Sequence, residues 1–200
     1  MEKAKEKIEK LYKDGVTLMN IGKNKDAQKV FLEILEDEPE HVETINKLGV
    51  IYARINNIEK AKSYFNQARK IQPDNPQVLT NLGNTCLLEG ELEKAKEYFD
   101  KSHTLDDKSH STLDGLSAYY KKKGDIEASL KYYKLGQKIH RDQLKKKIKR
   151  NEQEYLDFDI SETDSKSNQE PGSANKKKVS YKTIAFAAFG LLLLYLILFG

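Results

Sequence analysis

VETINKLGVIYARINNIEKAKSYFNQARKIQPDN, residues 42–75, is the stretch whose reading decides the fold. Its first half sets Ile45, Leu48, Gly49 and Tyr52 at helical spacing on one face. Asn56-Asn57 then interrupts the periodicity, and Asn tolerates the left-handed backbone that a helix end needs. The second half sets Ile58, Ala61, Phe65 and Ala68 on one face. Pro73 closes it, because proline cannot continue a helix. The stretch reads as two amphipathic helices joined by a tight turn.

The same pattern returns at a spacing of 34 residues, once upstream and twice downstream. Gly49 with Tyr52 corresponds to Gly15 with Leu18, Gly83 with Cys86, and Ser117 with Tyr120. The small residue of the second helix is Ala27, Ala61, Ala95 and Ser129, and the aromatic four residues later is Phe31, Phe65, Phe99 and Tyr133. A period of 34 with L-G-x-x-Y, then A-x-x-x-F, then P resembles the tetratricopeptide repeat, with copies at 8–41, 42–75, 76–109 and 110–143. The resemblance covers about two-thirds of the chain. It implies an all-α fold, a right-handed superhelical solenoid of four helix pairs spanning 1–143.

The flanks carry their own signals. Asp14 stands where the later copies have Leu48, Leu82 and Leu116, so the first helix is expected to be a polar, partly solvated cap. Copy four has Arg141 in place of the closing proline, so its last helix is expected to run on or restart after a short bend. Leu135, Ile139, Leu144, Ile148 and Tyr155 form a stripe, and the basic segment 144–156 is expected to cap the open end of the fourth copy. Residues 157–178, rich in Ser, Asn, Asp and Lys and holding Pro171-Gly172, read as a flexible linker. Residues 179–200, VSYKTIAFAAFGLLLLYLILFG, read as one C-terminal transmembrane helix. Lys176, Lys177, Lys178 and Lys182 precede it and no charge follows, so the positive-inside rule predicts a tail anchor with the repeats in the cytoplasm. The charged N-terminus, MEKAKEKIEK, has no signal-peptide apolar run. Resemblance to known tail anchors implies the endoplasmic reticulum in a eukaryotic cell; in a prokaryote the anchor would sit in the plasma membrane.

Composition and motifs count against catalysis. The single cysteine, Cys86, excludes an internal disulfide and sites of several thiolates, and it occupies a core position of its copy. His41, His103, His110 and His140 fall near copy boundaries without metal-ligand spacing, and no P-loop, G-x-S-x-G or G-x-G-x-x-G occurs. No enzyme activity, cofactor or metal is expected. A net charge of +4 does not argue for nucleic acid, and the basic run Lys145–Arg150 lacks interleaved aromatics. Its expected partners are solvent or anionic lipid heads near the anchor.

The tetratricopeptide resemblance implies a concave groove lined by the first helix of each copy. Its inner positions place Tyr12, Asn46, Val50, Arg54, Thr80, Asn84, Leu87, Leu88, Lys121 and Lys122 on that face, with Asn81 beside them. Asn46, Thr80, Asn81 and Asn84 suit an extended peptide backbone, since carboxamides both donate and accept. Val50, Leu87 and Leu88 suit an apolar side chain, and Arg54, Lys121 and Lys122 suit acidic groups. The two-carboxylate clamp of chaperone-binding members does not map: the places become Asn46, Val50, Asn81, Ser111 and Gly115, of which only Asn81 matches. The function expected is a membrane-anchored adaptor or scaffold that binds a protein or peptide in its groove. The alternative is a self-associating homo-oligomer that forms a membrane-bound assembly with no groove ligand.

Overall fold

A computed structural model describes residues 2–166, and the described residues form eight α-helices and no strand. The expected anchor at 179–200, and the expected linker from 167 onward, lie outside the described residues. Among those described, no helix is long and apolar enough to cross a membrane. The helices are α1 Glu2–Asn20, α2 Asn24–Asp37, α3 Val42–Arg54, α4 Ile58–Ile71, α5 Pro76–Glu89, α6 Leu92–Leu105, α7 His110–Lys123 and α8 Ile126–Lys166. The chain divides into two compact units, Met1–Gly136 and Gln137–Gly200, with the boundary inside α8.

Local chemistry sets the helix ends. Side chains of Asn57, Asn75 and Ser109 accept from the backbone N–H three residues on, at 3.1, 3.1 and 3.4 Å, capping α4, α5 and α7. His41 does the same for α3 through Nδ1, at 3.2 Å from the Thr44 nitrogen. Pro76 opens α5, where its missing N–H costs nothing. The turn inside each pair has one left-handed residue: Gly22, Asn56, Gly90 and Gly124, at φ 80°, 59°, 81° and 82°. Asn56 is the one non-glycine, and it takes the conformation its sequence position predicts.

Within the first unit each helix pair stacks on the next. α1, α3, α5 and α7 touch their successors directly, whereas α2, α4 and α6 do not touch one another. The first-helix layer is therefore the tighter one and forms the inner side of the bend. Phe31, Phe65 and Phe99 are fully or almost fully buried and anchor the pairs. Each of the three rings lies against a glycine of its own pair: a Cβ on Gly15, Gly49 or Gly83 would stand 2.4–2.6 Å from a ring carbon. Each buried ring contributes on the order of 1.5–3 kcal/mol.

The fourth pair departs from this scheme. Ser117 holds the glycine place, and its Oγ donates to the Ser129 carbonyl at 2.9 Å. Its Cβ fills the space that glycine leaves for a ring, and Tyr133, aligned with the three phenylalanines, is 51% exposed. The register in the sequence is unbroken, but the packing is not. α8 also runs without a break from Ile126 to Lys166, as the missing proline predicts. Residues 144–156 are therefore part of α8, and the first ten residues of the expected linker, 157–166, are helical. Asp14 is exposed and Cys86 is buried, as their positions predict, and burial pushes the Cys86 thiol up.

Candidate functional site

The inner surface of α1, α3, α5 and α7 is the candidate site, and the predicted residues divide there into two sets. Asn46, Thr80 and Leu87 belong to the interior. Asn46 is 2% exposed; its Nδ2 donates to Gln77 Oε1 at 3.2 Å and its Oδ1 accepts from Asn81 Nδ2 at 2.8 Å. Its carboxamide is spent on joining α3 to α5. Thr80 is buried in a hydroxyl triangle with Ser102 at 2.8 Å and Thr112 at 2.7 Å, the last two being 3.0 Å apart. Leu87 lies in the core cluster around Phe99 and Tyr119. These three are corrections to the expected groove lining, and the reason is common to them. The helices approach closely enough that the fifth and twelfth positions of a copy face the neighbouring helix as well as the bend.

The other set stays at the surface. Asn84, Arg54, Leu88, Lys121 and Lys122 are exposed, Leu88 at 65%, and Val50 and Asn81 are half-buried. Tyr12 is half-buried, with its ring centroid 6.0 Å from Phe31 and 5.7 Å from His41. Burial, then the Glu43 carboxylate, raises its phenol pKa. It borders a recess of about 840 Å³ whose walls include Ile8, Glu9, His41 and Glu43. Two of the cations have a second task. Arg54 Nη1 donates to the Met19 carbonyl at 2.9 Å, and Lys122 Nζ donates to the Leu87 carbonyl at 2.6 Å. Both reach the last turn of the preceding first helix, where the Met19 and Leu87 carbonyls also accept the turn N–H groups of Gly22 and Gly90, at 3.2 and 3.4 Å. Leu88 holds the equivalent place in the third copy and has no donor to offer.

The electrostatics of this face run along the helices. At the N-terminal ends Glu9 pairs with Lys13 at 2.7 Å, Asp114 lies 3.0 Å from the His110 imidazole, and Glu43 stands 3.7 Å from His41 Nδ1, which already accepts the Thr44 N–H. At the C-terminal ends Arg54, Lys121 and Lys122 supply positive charge. Between them lies Lys47, which the groove positions did not include. It is half-buried, no acid raises its pKa, and burial followed by the like charge of Arg54 holds its ammonium below the usual lysine range. Its signal in the sequence was only its place one residue after Asn46. Gly115, a place of the carboxylate clamp, lies against Phe99 and offers no side chain.

Two tetratricopeptide-repeat family models match the chain, one over residues 18–79 and one over 76–109. A search of curated proteins gives no significant match. Among solved structures, a crystal structure of MamA is similar with a TM-score of 0.55 and 22% identity, over 69% of this chain and 81% of that one. Residues 41 to the end of MamA from Desulfovibrio magneticus RS-1 give 0.55 and 23%, over 68% and 77%. Pseudomonas aeruginosa pilF gives 0.53 and 20%, over 62% of this chain and 57% of that one. At these identities the likeness is one of fold. The helix pairs of residues 18–109 are tetratricopeptide repeats.

Proposed function

We propose that this chain is a membrane-anchored scaffold that receives a protein or peptide partner on its concave face and performs no chemistry of its own. The observation that carries the reading is the half-buried Lys47 beside Arg54, with no acid among the described residues raising its pKa. Removing an ammonium from water without an opposite charge is unfavourable, and an acidic group in a ligand would relieve it. Asn84 would bond the partner backbone, Leu88 and Val50 would take an apolar side chain, and Lys121 would extend the positive end. The run at 179–200 is the anchor, with the repeats on the cytoplasmic side and Lys145–Arg150 able to meet anionic lipid heads.

The test uses the full chain in cells. Partners are captured with the parent, with Lys47→Met/Asn84→Ala/Leu88→Glu, and with a chain lacking 179–200. A partner lost with the groove substitutions supports groove binding, and an unchanged partner set counts against it. A fluorescent fusion of 157–200 that stays diffuse would remove the anchor. Self-association remains the competing reading. It predicts an assembly in detergent whose size grows with concentration and ignores the groove substitutions.

A further inference from the structure

The centre of the inner face is a chain of three carboxamides. Gln77 and Asn81 lie four residues apart on α5, and so one turn apart on one face. Asn46 of α3 bridges them: its Nδ2 donates to Gln77 Oε1 at 3.2 Å, and its Oδ1 accepts from Asn81 Nδ2 at 2.8 Å. The middle amide is 2% exposed, whereas Gln77 is exposed and Asn81 is half-buried. An amide that donates on one side accepts on the other, so the three groups orient together as a relay. Two orientations of the relay have the same spacing. In one, Asn81 turns its carbonyl to the groove; in the other, with every amide reversed, it turns its amino group there.

Charge chooses between them. Lys47 directly follows Asn46 and holds the sixth place of its copy, as Asn81 does in the next. Its ammonium, which feels the like charge of Arg54, lies at the Asn81 end of the relay. Glu43 stands toward the other end, second in its copy as Gln77 is in its own. Side-chain dipoles align with such a field, carbonyl toward the cations and amino group toward the acid. Asp114, the acid of the next first helix, faces α8 instead. Its Oδ2 lies 3.0 Å from His110 Nδ1, and its Oδ1 would stand 3.4 Å from a Cβ on Gly136. Asn81 Oδ1 is thereby left toward the groove, and no described residue donates to it.

We propose that Asn81 is a specificity-determining acceptor of the groove, held carbonyl-outward by the relay through Asn46 and Gln77. The inference rests on the reading of the inner face as a binding groove, and it narrows the ligand. The partner offers an acidic side chain to Lys47 and, from the same or an adjoining residue, a backbone N–H to Asn81 Oδ1. A segment with proline at that place has no N–H to offer and is refused. Asn81 touches the ligand, whereas Asn46 and Gln77 act by positioning it.

The probe is a displayed library of random nonapeptides, panned against the full chain in detergent micelles. The strongest binder is then synthesised with each backbone nitrogen methylated in turn. The expected peptide carries Asp or Glu at a fixed place, and its binding is lost in Lys47→Met. Methylation of one nitrogen at or beside that acid weakens binding about tenfold in the parent and hardly at all in Asn81→Ala. The exposed Gln77 gives the relay its own readout. Gln77→Glu can only accept, so it keeps the relay as it stands and binds within about twofold of the parent although it adds negative charge. Gln77→Lys can only donate, so it reverses the relay and binds about tenfold more weakly although it adds positive charge. Tighter binding by Gln77→Lys and weaker binding by Gln77→Glu, the order that charge alone predicts, overturns the proposal and leaves the groove reading in place. So does an acid preference with no methylation effect that depends on Asn81. A library that yields no binder, or binders indifferent to Lys47→Met, overturns the groove reading and this proposal with it.

Discussion

At the scale of single residues, packing and charge make opposite demands on glycine and lysine. Gly83 leaves room for the Phe99 ring, which Gly115 meets from the other side. Gly83→Ala gains helix propensity of about 1 kcal/mol, yet it inserts a methyl into a space already filled. The expected net effect is a loss of about 1–3 kcal/mol by urea denaturation, with Phe99→Leu partly rescuing the double variant. An Ala variant as stable as the parent would show that the ring moves aside freely. Lys47 is the converse case, a charge in a place that disfavours it. Its pKa is lower folded than unfolded, so the unfolded chain holds more protons as pH approaches the ordinary lysine range. Lys47→Met should therefore raise the melting temperature at neutral pH, and the gain over the parent should shrink as pH rises through the folded-state pKa. A gain that is independent of pH would mean that packing, and not charge, is responsible.

At the scale of elements, the junctions between copies are tied by repeating contacts. Arg54 and Lys122 close carbonyls of the preceding first helix, and Leu88 leaves the intermediate junction without this tie. Arg54→Met should cost about 0.5–1.5 kcal/mol in a chemical melt. Leu88→Arg should add a few tenths to about 1 kcal/mol by supplying the third contact and withdrawing an exposed leucine. If Leu88→Arg destabilises the fold, the carbonyl at Ala53 is not reachable and the equivalence of the junctions fails. The helix pairs themselves were legible from residues 42–75, because a 3.6 period, a turn and a proline are local instructions. The departure of the fourth pair was not. Tyr133 keeps the register of Phe31, Phe65 and Phe99, and only the Ser117 Cβ on the opposing helix shows that the seat is filled.

At the scale of the whole molecule, the repeats contact only their neighbours, so stability is shared along a line. α3 to α6 are covered on both sides, while α1 carries the exposed Asp14 on its outer side and the start of α8 carries exposed Leu130 and Tyr133. Amide exchange in native conditions should be slowest in α4, α5 and α6 and faster in α1, in a graded order. Equal protection across α1 to α7 would mean that the repeats unfold as one block.

The sequence by itself determined the period, the helix boundaries, the turn residues and the buried aromatic of the first three copies, since each rests on neighbours within one or two turns of chain. It also singled out the apolar run at 179–200 as the expected anchor. The tertiary structure alone decided which inner-face residues meet solvent. Asn46, Thr80 and Leu87 share helical positions with surface residues of other copies, and the distance between adjacent helices turns them inward. It also decided that Lys47 lies half-buried, with no acid among the described residues raising its pKa. Those outcomes depend on contacts 30 or more residues apart, such as Asn46 with Gln77 and Arg54 with Met19, and no local pattern in the chain encodes them.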